Sequence, residues 1–167
     1  MFDLEKIKED KGLLSLAILR IILALMLLWA FFDKLLGLGL ETPAGHGMID
    51  GGSPSMALLY FDGPVATLMH GLAGNLFIDV LMMVGLLFIG GALLLGIGTK
   101  ITTIAGTAFF IMMFLVCMFP ADNPILDYHL IYIFGLLAIY FYHAGDCLGL
   151  GEWWRSHDIV DKYPILD

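Results

Sequence analysis

Asp33, Lys34, His70, Asp79, Asp127 and His129 are the residues of this sequence whose types best suit chemistry. Three carboxylates beside one ammonium and two imidazoles can hold a small anion and move a proton, because an imidazole exchanges its proton near neutral pH. Brought to one depth, with Asn123 nearby, they form either a paired polar network that fixes helix register or a site where an anionic or quinone-like molecule meets a proton-transferring group. In the second reading Lys34, His70, Asp127 and His129 are the substrate contacts. A haem held between His70 and His129 is a third arrangement. It lacks a second pair at one depth on two spans, so no haem is expected. The spacings HxxxH and HExxH are absent, and no metal site is expected either.

A second set lies along one helical face. At about 100° per residue, His129, Tyr132, Leu136, Tyr140, His143 and Cys147 fall within roughly 80° of one another. Hydrogen-bonding groups in an otherwise apolar segment are costly against lipid, so this stripe is expected to face other helices or a cavity. Together with Arg20, the side chains Tyr132, Tyr140 and His143 make a candidate cofactor-binding set for quinone. The inner group of Arg20, Tyr140, His143 and Asp146 is either a lipid or quinone head-group pocket or an Arg20–Asp146 pair that locks the first helix to the fourth.

The elements that must position these groups follow from composition. The chain has 167 residues, of which 60% are hydrophobic and only 14% charged, and its mean hydropathy is +0.92. These values lie outside the range of soluble domains and predict an all-α integral membrane protein. The length accommodates a four-transmembrane-helix bundle as one domain over 1–167, with spans at about 13–36, 76–97, 101–119 and 125–144, and no soluble catalytic module. The formal charge of -8 sits mostly at termini and loops. No basic footprint for nucleic acid is present. Cys117 and Cys147 are expected at opposite ends of the bundle, about 20 Å apart, too far for a disulfide, and read as small packing residues.

Residues 1–12 are charged and read as an amphipathic lead-in. The first span is too long for a signal-peptide core and no A-x-A site follows it, so an uncleaved helix is expected. Arg20, Ala24, Leu27, Phe31 and Lys34 share a face of that helix, with the two cations about 21 Å apart. Arg20 either snorkels to the inner head groups or pairs with Asp146 or touches Tyr140 or His143. Lys34 is either an interfacial anchor or an anion contact at the outer mouth. Glycines at 37, 39, 45, 47, 51 and 52 mark a loop. The apolar pieces at 56–61 and 65–72, about 12 to 15 Å each if helical, are too short to span and are expected as interfacial or re-entrant helices capping the bundle. His70, on the second piece, makes a structural hydrogen bond or a ligand contact.

The turn at 96–100 forces the second and third spans to lie antiparallel. Gly85, Gly90, Gly91, Ala92, Ala105, Gly106 and Ala108 predict close helix contact. Met82, Met83, Met112, Met113 and Met118 read as adaptable core filler. Asn123 is the expected N-cap of the fourth helix, with Pro124 at its first position. Trp153 and Trp154 fit an interfacial aromatic belt, and 157–167 a short tail. Lys6, Lys8, Lys11, Lys100, Arg155 and Lys162 fall on one side and Lys34 alone on the other. A multi-pass protein of the cell membrane with both termini cytoplasmic is expected.

With these residues in hand, the chain resembles the DoxX family of four-helix membrane proteins, in particular the DoxD-like membrane subunit of thiosulfate:quinone oxidoreductase. The resemblance covers almost the whole chain. It rests on the helix from Arg20 to Lys34, on GSPSMALLYFDGPVATLMHGLAG at 52–74, on GLLFIGGALLLGIGTK at 85–100, and above all on NPILDYHLIYIFGLLAIYFYHAGDCLGLGEWWR at 123–155. The resemblance implies a membrane subunit linked to oxidation of thiosulfate to tetrathionate with electrons passed to quinone, alongside a second redox subunit, DoxA, whose sequence is not fused here. The motif positions it implies are Arg20, Lys34, Asn123, Pro124, Asp127, His129, Tyr132 and Gly145. The competing expectation is non-enzymatic: a DoxX-type bundle that binds a lipid-like ligand or supports assembly of a redox complex. Homo-oligomers are compatible with the small-residue faces.

Overall fold

The computed structural model describes residues 10–117 and 126–167. Helix α1, Lys11–Leu36, begins where the Asp10 carboxylate accepts the Leu13 N–H at 2.9 Å. It stops at Gly37, whose φ of 62° is left-handed and whose N–H returns to the Asp33 carbonyl. Glycine is needed there twice over, since a Cβ on Gly37 would lie 2.6 Å from the Gly47 nitrogen. The loop that follows contains short 3₁₀ turns at Met48–Asp50 and Pro54–Tyr60 and one α-helical turn, α2, Ala66–His70.

Helix α3, Leu76–Leu95, is capped by Asn75, which accepts from Phe77 N–H, and ends at the left-handed Gly96. Helix α4, Thr99–Cys117, returns antiparallel after the short turn. Helix α5, Tyr128–Phe141, is capped by Asp127. Two single-turn helices, α6 at Gly151–Arg155 and α7 at Asp158–Lys162, and a 3₁₀ turn at Pro164–Leu166 complete the chain. No strand occurs among the described residues.

Among the described residues, three helices are long and apolar enough to cross a membrane: α1 with 26 residues, α3 with 20 and α4 with 19. Helix α5 is apolar but has only 14 residues, about 21 Å at 1.5 Å each. The four close into a ring in which α1 packs on α3, α3 on α4, α4 on α5 and α5 back on α1. Leu23, Leu27, Leu86, Leu93, Phe110 and Leu136 fill its centre. Two of the small residues admit α1 and α5, and Gly106 of α4 also lies against Ile89 of α3. A Cβ on Gly90 would meet Leu28 of α1 at 2.9 Å, and one on Gly106 would meet Leu136 of α5 at 2.6 Å, whereas Gly85 and Gly91 face open space. Outside the ring, Leu25, Trp29, Val84, Ile104, Ile131 and Phe134 are all more than half exposed. An apolar belt around an apolar core is what a bilayer, acting as solvent, selects.

One local expectation is corrected. The face from His129 to Cys147 is not one helical stripe, because α5 ends at Phe141 and His143 takes a left-handed φ of 49°. His143 is therefore exposed rather than turned to the bundle. Asp127 caps the helix Tyr128–Phe141. Asn123, Pro124, Met118, Lys6 and Lys8, with the lead-in up to residue 9 and the expected end of the third span, lie outside the described residues.

Candidate functional site

At one end of the bundle, Arg20 is fully buried. Its partners are neither Asp146 nor head groups but backbone carbonyls. Nε donates to Ala144 O at 3.1 Å, one Nη to Leu94 O at 3.0 Å and to Leu93 O, and the other Nη to Cys147 O at 3.1 Å and Leu148 O at 2.9 Å. Leu93 and Leu94 belong to the last turn of α3, whose carbonyls have no partner within the helix. The turn after α5 supplies the rest. Five N–H groups thus meet five acceptors, and the negative end of α3 balances a charge that has no carboxylate beside it. Asp146 instead binds Arg155 at 2.5 Å, and this hydrogen bond holds the Arg155 guanidinium above its ordinary pKa. Tyr140 is half-buried on α5. Of the expected cofactor set, Arg20 has no N–H left over for a ligand and His143 points away.

The polar groups at the opposite end separate into five arrangements. Asp33, nearly fully buried, accepts the Thr42 N–H on Oδ2 at 2.8 Å, while its Oδ1 has no hydrogen-bond partner. Lys34 pairs with Glu41 at 2.8 Å. Asp79 accepts from Ser55 N–H at 2.7 Å and Ser53 Oγ at 2.9 Å, tying the Pro54–Tyr60 turn to the start of α3. His70 lies 2.8 Å from Phe61 O through Nε2, the structural hydrogen bond.

Asp127 and His129 form the fifth arrangement. The Asp127 carboxylate accepts the His129 backbone N–H and its ring Nδ1–H, the latter at 2.9 Å. The ring is flanked by Tyr128, Tyr132 and Phe110, with centroids at 4.3, 6.1 and 6.1 Å. Cys117, the last residue of α4, completes the cluster: one donor atom from each of Cys117, Asp127 and His129 lies within 4.8 Å of the others. Both cysteines are free thiols.

Two concavities meet at the Lys34 end. A groove of about 510 Å³ runs along α1 and is lined by Ile22, Leu25, Met26, Trp29, Ala30, Asp33, Leu40 and Glu41. A second pocket of about 380 Å³ has polar walls from Lys34, Glu41, Thr42, His46 and Ser53 and apolar ones from Pro54, Met56 and Tyr60. Glu41 belongs to both. The groove is open to the surface that the apolar belt places in lipid, and Asp33 is its buried polar wall. The pocket carries an ammonium, an imidazole and hydroxyls, a donor set suited to a small oxyanion.

Sequence reasoning did not single out Glu41, His46 or the proximity of Cys117 to His129. All three depend on the path of loops, and no helical periodicity marks them. No protein-family model, curated protein or solved structure matches this chain.

Proposed function

We propose that this chain is a multi-pass membrane protein of the DoxX type that binds a quinone-like amphiphile in the α1 groove and a small sulfur anion such as thiosulfate in the neighbouring polar pocket. It acts as the membrane subunit of a quinone-linked oxidation. The observation that carries this reading is the wall the two concavities share. Glu41 lines both, Asp33 faces the apolar groove, and Lys34, the next residue, faces the polar pocket. A buried carboxylate oxygen without a partner is costly, and a quinol hydroxyl entering the groove would supply the missing donor.

In this oxidation two thiosulfate anions join through a new S–S bond and release two electrons, which with two protons convert quinone to quinol. Lys34, His46 and Ser53 hold the anion, Asp33 holds and passes a proton, and a second redox subunit docked over the pocket carries the electrons between donor and quinone. Helix α5 with the turn behind it completes the fourth span, and the short turns at 48–70 cap the bundle at the outer interface. Lys11, Lys100, Arg155 and Lys162 mark the cytoplasmic side, where both termini lie. The quinone site moves from the Tyr132 to His143 stripe to α1, because the groove lies there.

The test combines binding and turnover. With the chain purified together with its redox subunit under anaerobic conditions, thiosulfate reduces a soluble short-chain quinone in wild type. Asp33→Asn slows turnover and Lys34→Gln raises KM roughly tenfold. Trp29 lines the groove, so quinone quenches its fluorescence in a Trp153→Phe, Trp154→Phe background. Absence of quenching with the fold intact would remove the groove from the argument. Quenching without turnover supports the second reading, a protein that binds a lipid-like ligand or aids assembly of a redox complex. That reading is favoured by a groove lined only by α1 and the loop that trails it.

A further inference from the structure

We propose that Cys117, Asp127 and His129 form a binding site for a divalent metal ion of the zinc class, which clamps the end of α4 to the start of α5. The proposal rests on the cluster alone and is independent of the groove and pocket above. The three residues come from two elements, Cys117 closing α4 and Asp127 and His129 opening α5, and their donor atoms already lie within 4.8 Å of one another. Donors sharing a zinc ion at bonds of about 2.0 to 2.3 Å stand roughly 3.5 Å apart, so the site closes by about 1 Å of side-chain movement.

The donor set has the chemistry of a borderline-soft cation. A thiolate and an imidazole select zinc-like ions over magnesium or calcium, and the carboxylate supplies the remaining negative charge. A thiolate, a carboxylate, a neutral imidazole and a divalent ion sum to zero charge, the form that costs least beside a low-dielectric bilayer. The imidazole is oriented in advance. Its Nδ1 already stands 2.9 Å from the Asp127 carboxylate, so a metal that takes the place of the proton between them bonds Nδ1 and a carboxylate oxygen together, while the ring keeps its proton on Nε2. Three protein donors leave a fourth position for water or an anion.

The experiment uses the full chain, purified, stripped with chelator and titrated with Co²⁺ as the spectroscopic probe for zinc. One cobalt binds per chain, giving thiolate-to-cobalt charge transfer in the near ultraviolet and tetrahedral bands in the visible. Cys117→Ser abolishes the charge transfer, Cys147→Ala leaves it in place, and His129→Ala weakens binding at least tenfold. Zn²⁺ displaces the cobalt and raises the melting temperature of wild type but not of Cys117→Ser. Circular dichroism of each variant reports that it is folded. The site is overturned if folded wild type develops no charge-transfer band, or if the band survives Cys117→Ser or is lost in Cys147→Ala.

Discussion

Arg20 Nε donates to the carbonyl oxygen of Ala144 at 3.1 Å, across a sequence separation of 124 residues. With the other four hydrogen bonds of the guanidinium, this contact joins α1 to the last turn of α3 and the turn after α5. Replacing Arg20 by Met removes a buried charge, which by itself favours the variant, yet takes the donor from five buried or half-buried carbonyl oxygens, of which Leu93 O keeps the Gly96 N–H. At about 1 to 3 kcal/mol for each unsatisfied group, the second effect wins. Arg20→Met is expected to lose on the order of 3 kcal/mol or more, seen as a melting temperature in detergent lowered by roughly 6 to 12 °C. Arg20→Lys should fall nearly as far, since a lysine offers three donors from one point. A variant melting with wild type would show that the carbonyls find other partners.

The turn around that guanidinium has no room for side chains. A Cβ on Gly145 would lie 2.5 Å from Gly96 O and 3.0 Å from Thr99 Cγ2, and one on Gly96 would lie 2.6 Å from Gly145 O. These neighbours are largely backbone and cannot rotate aside. Gly145→Ala is expected to cost about 2 kcal/mol. Gly96 and Gly145 oppose one another, so the double alanine variant should cost less than the sum of the singles when thermal unfolding is compared across the cycle.

The three long helices were legible in the sequence because hydrophobic length alone defines them. The partner of Arg20 was not. Backbone carbonyls carry no residue label, so an arginine inside a span suggested the inner head groups, Asp146, Tyr140 or His143, and the structure gives Asp146 to Arg155. The exposure of His143 was hidden for a related reason: helical periodicity assumes the helix continues, whereas α5 stops at Phe141 and the turn after it sends its carbonyls toward Arg20. Lys34 was singled out by its place at the end of a span. Glu41 and His46, which share its surroundings, sit in a glycine-rich loop whose course no period encodes. Cys117 read as packing because its neighbours at 127 and 129 come near only when α4 and α5 pair.

Asp79 ties the Pro54–Tyr60 turn to the start of α3. Its carboxylate takes Ser55 N–H and Ser53 Oγ, and Ser55 Oγ in turn accepts Gly74 N–H at 3.0 Å. Asp79→Ala leaves the buried Ser55 amide unpaired, at a cost of about 1 to 3 kcal/mol confined to the segment it anchors. Hydrogen exchange and proteolysis are therefore expected to rise over 53–62 and to stay unchanged in α4 and α5. A rise spread over all four long helices would mean that the cap supports the bundle itself.

Lys34 and Glu41 give the sharpest test of the polar pocket, because their substitutions should act in opposite directions. The Glu41 side chain is 77% exposed, so its 2.8 Å pair with Lys34 is worth at most about 1 kcal/mol and Glu41→Gln should melt close to wild type. Removing that carboxylate deletes the negative charge on the pocket wall and leaves the ammonium unopposed. Binding of thiosulfate or sulfite, read by calorimetry, is expected to strengthen a few-fold in Glu41→Gln, weaken in Lys34→Gln, and show the steeper salt dependence in the first. Equal weakening in both variants would mean that Lys34 and Glu41 only pin the loop to α1, and that an anion recognises some other face of the protein.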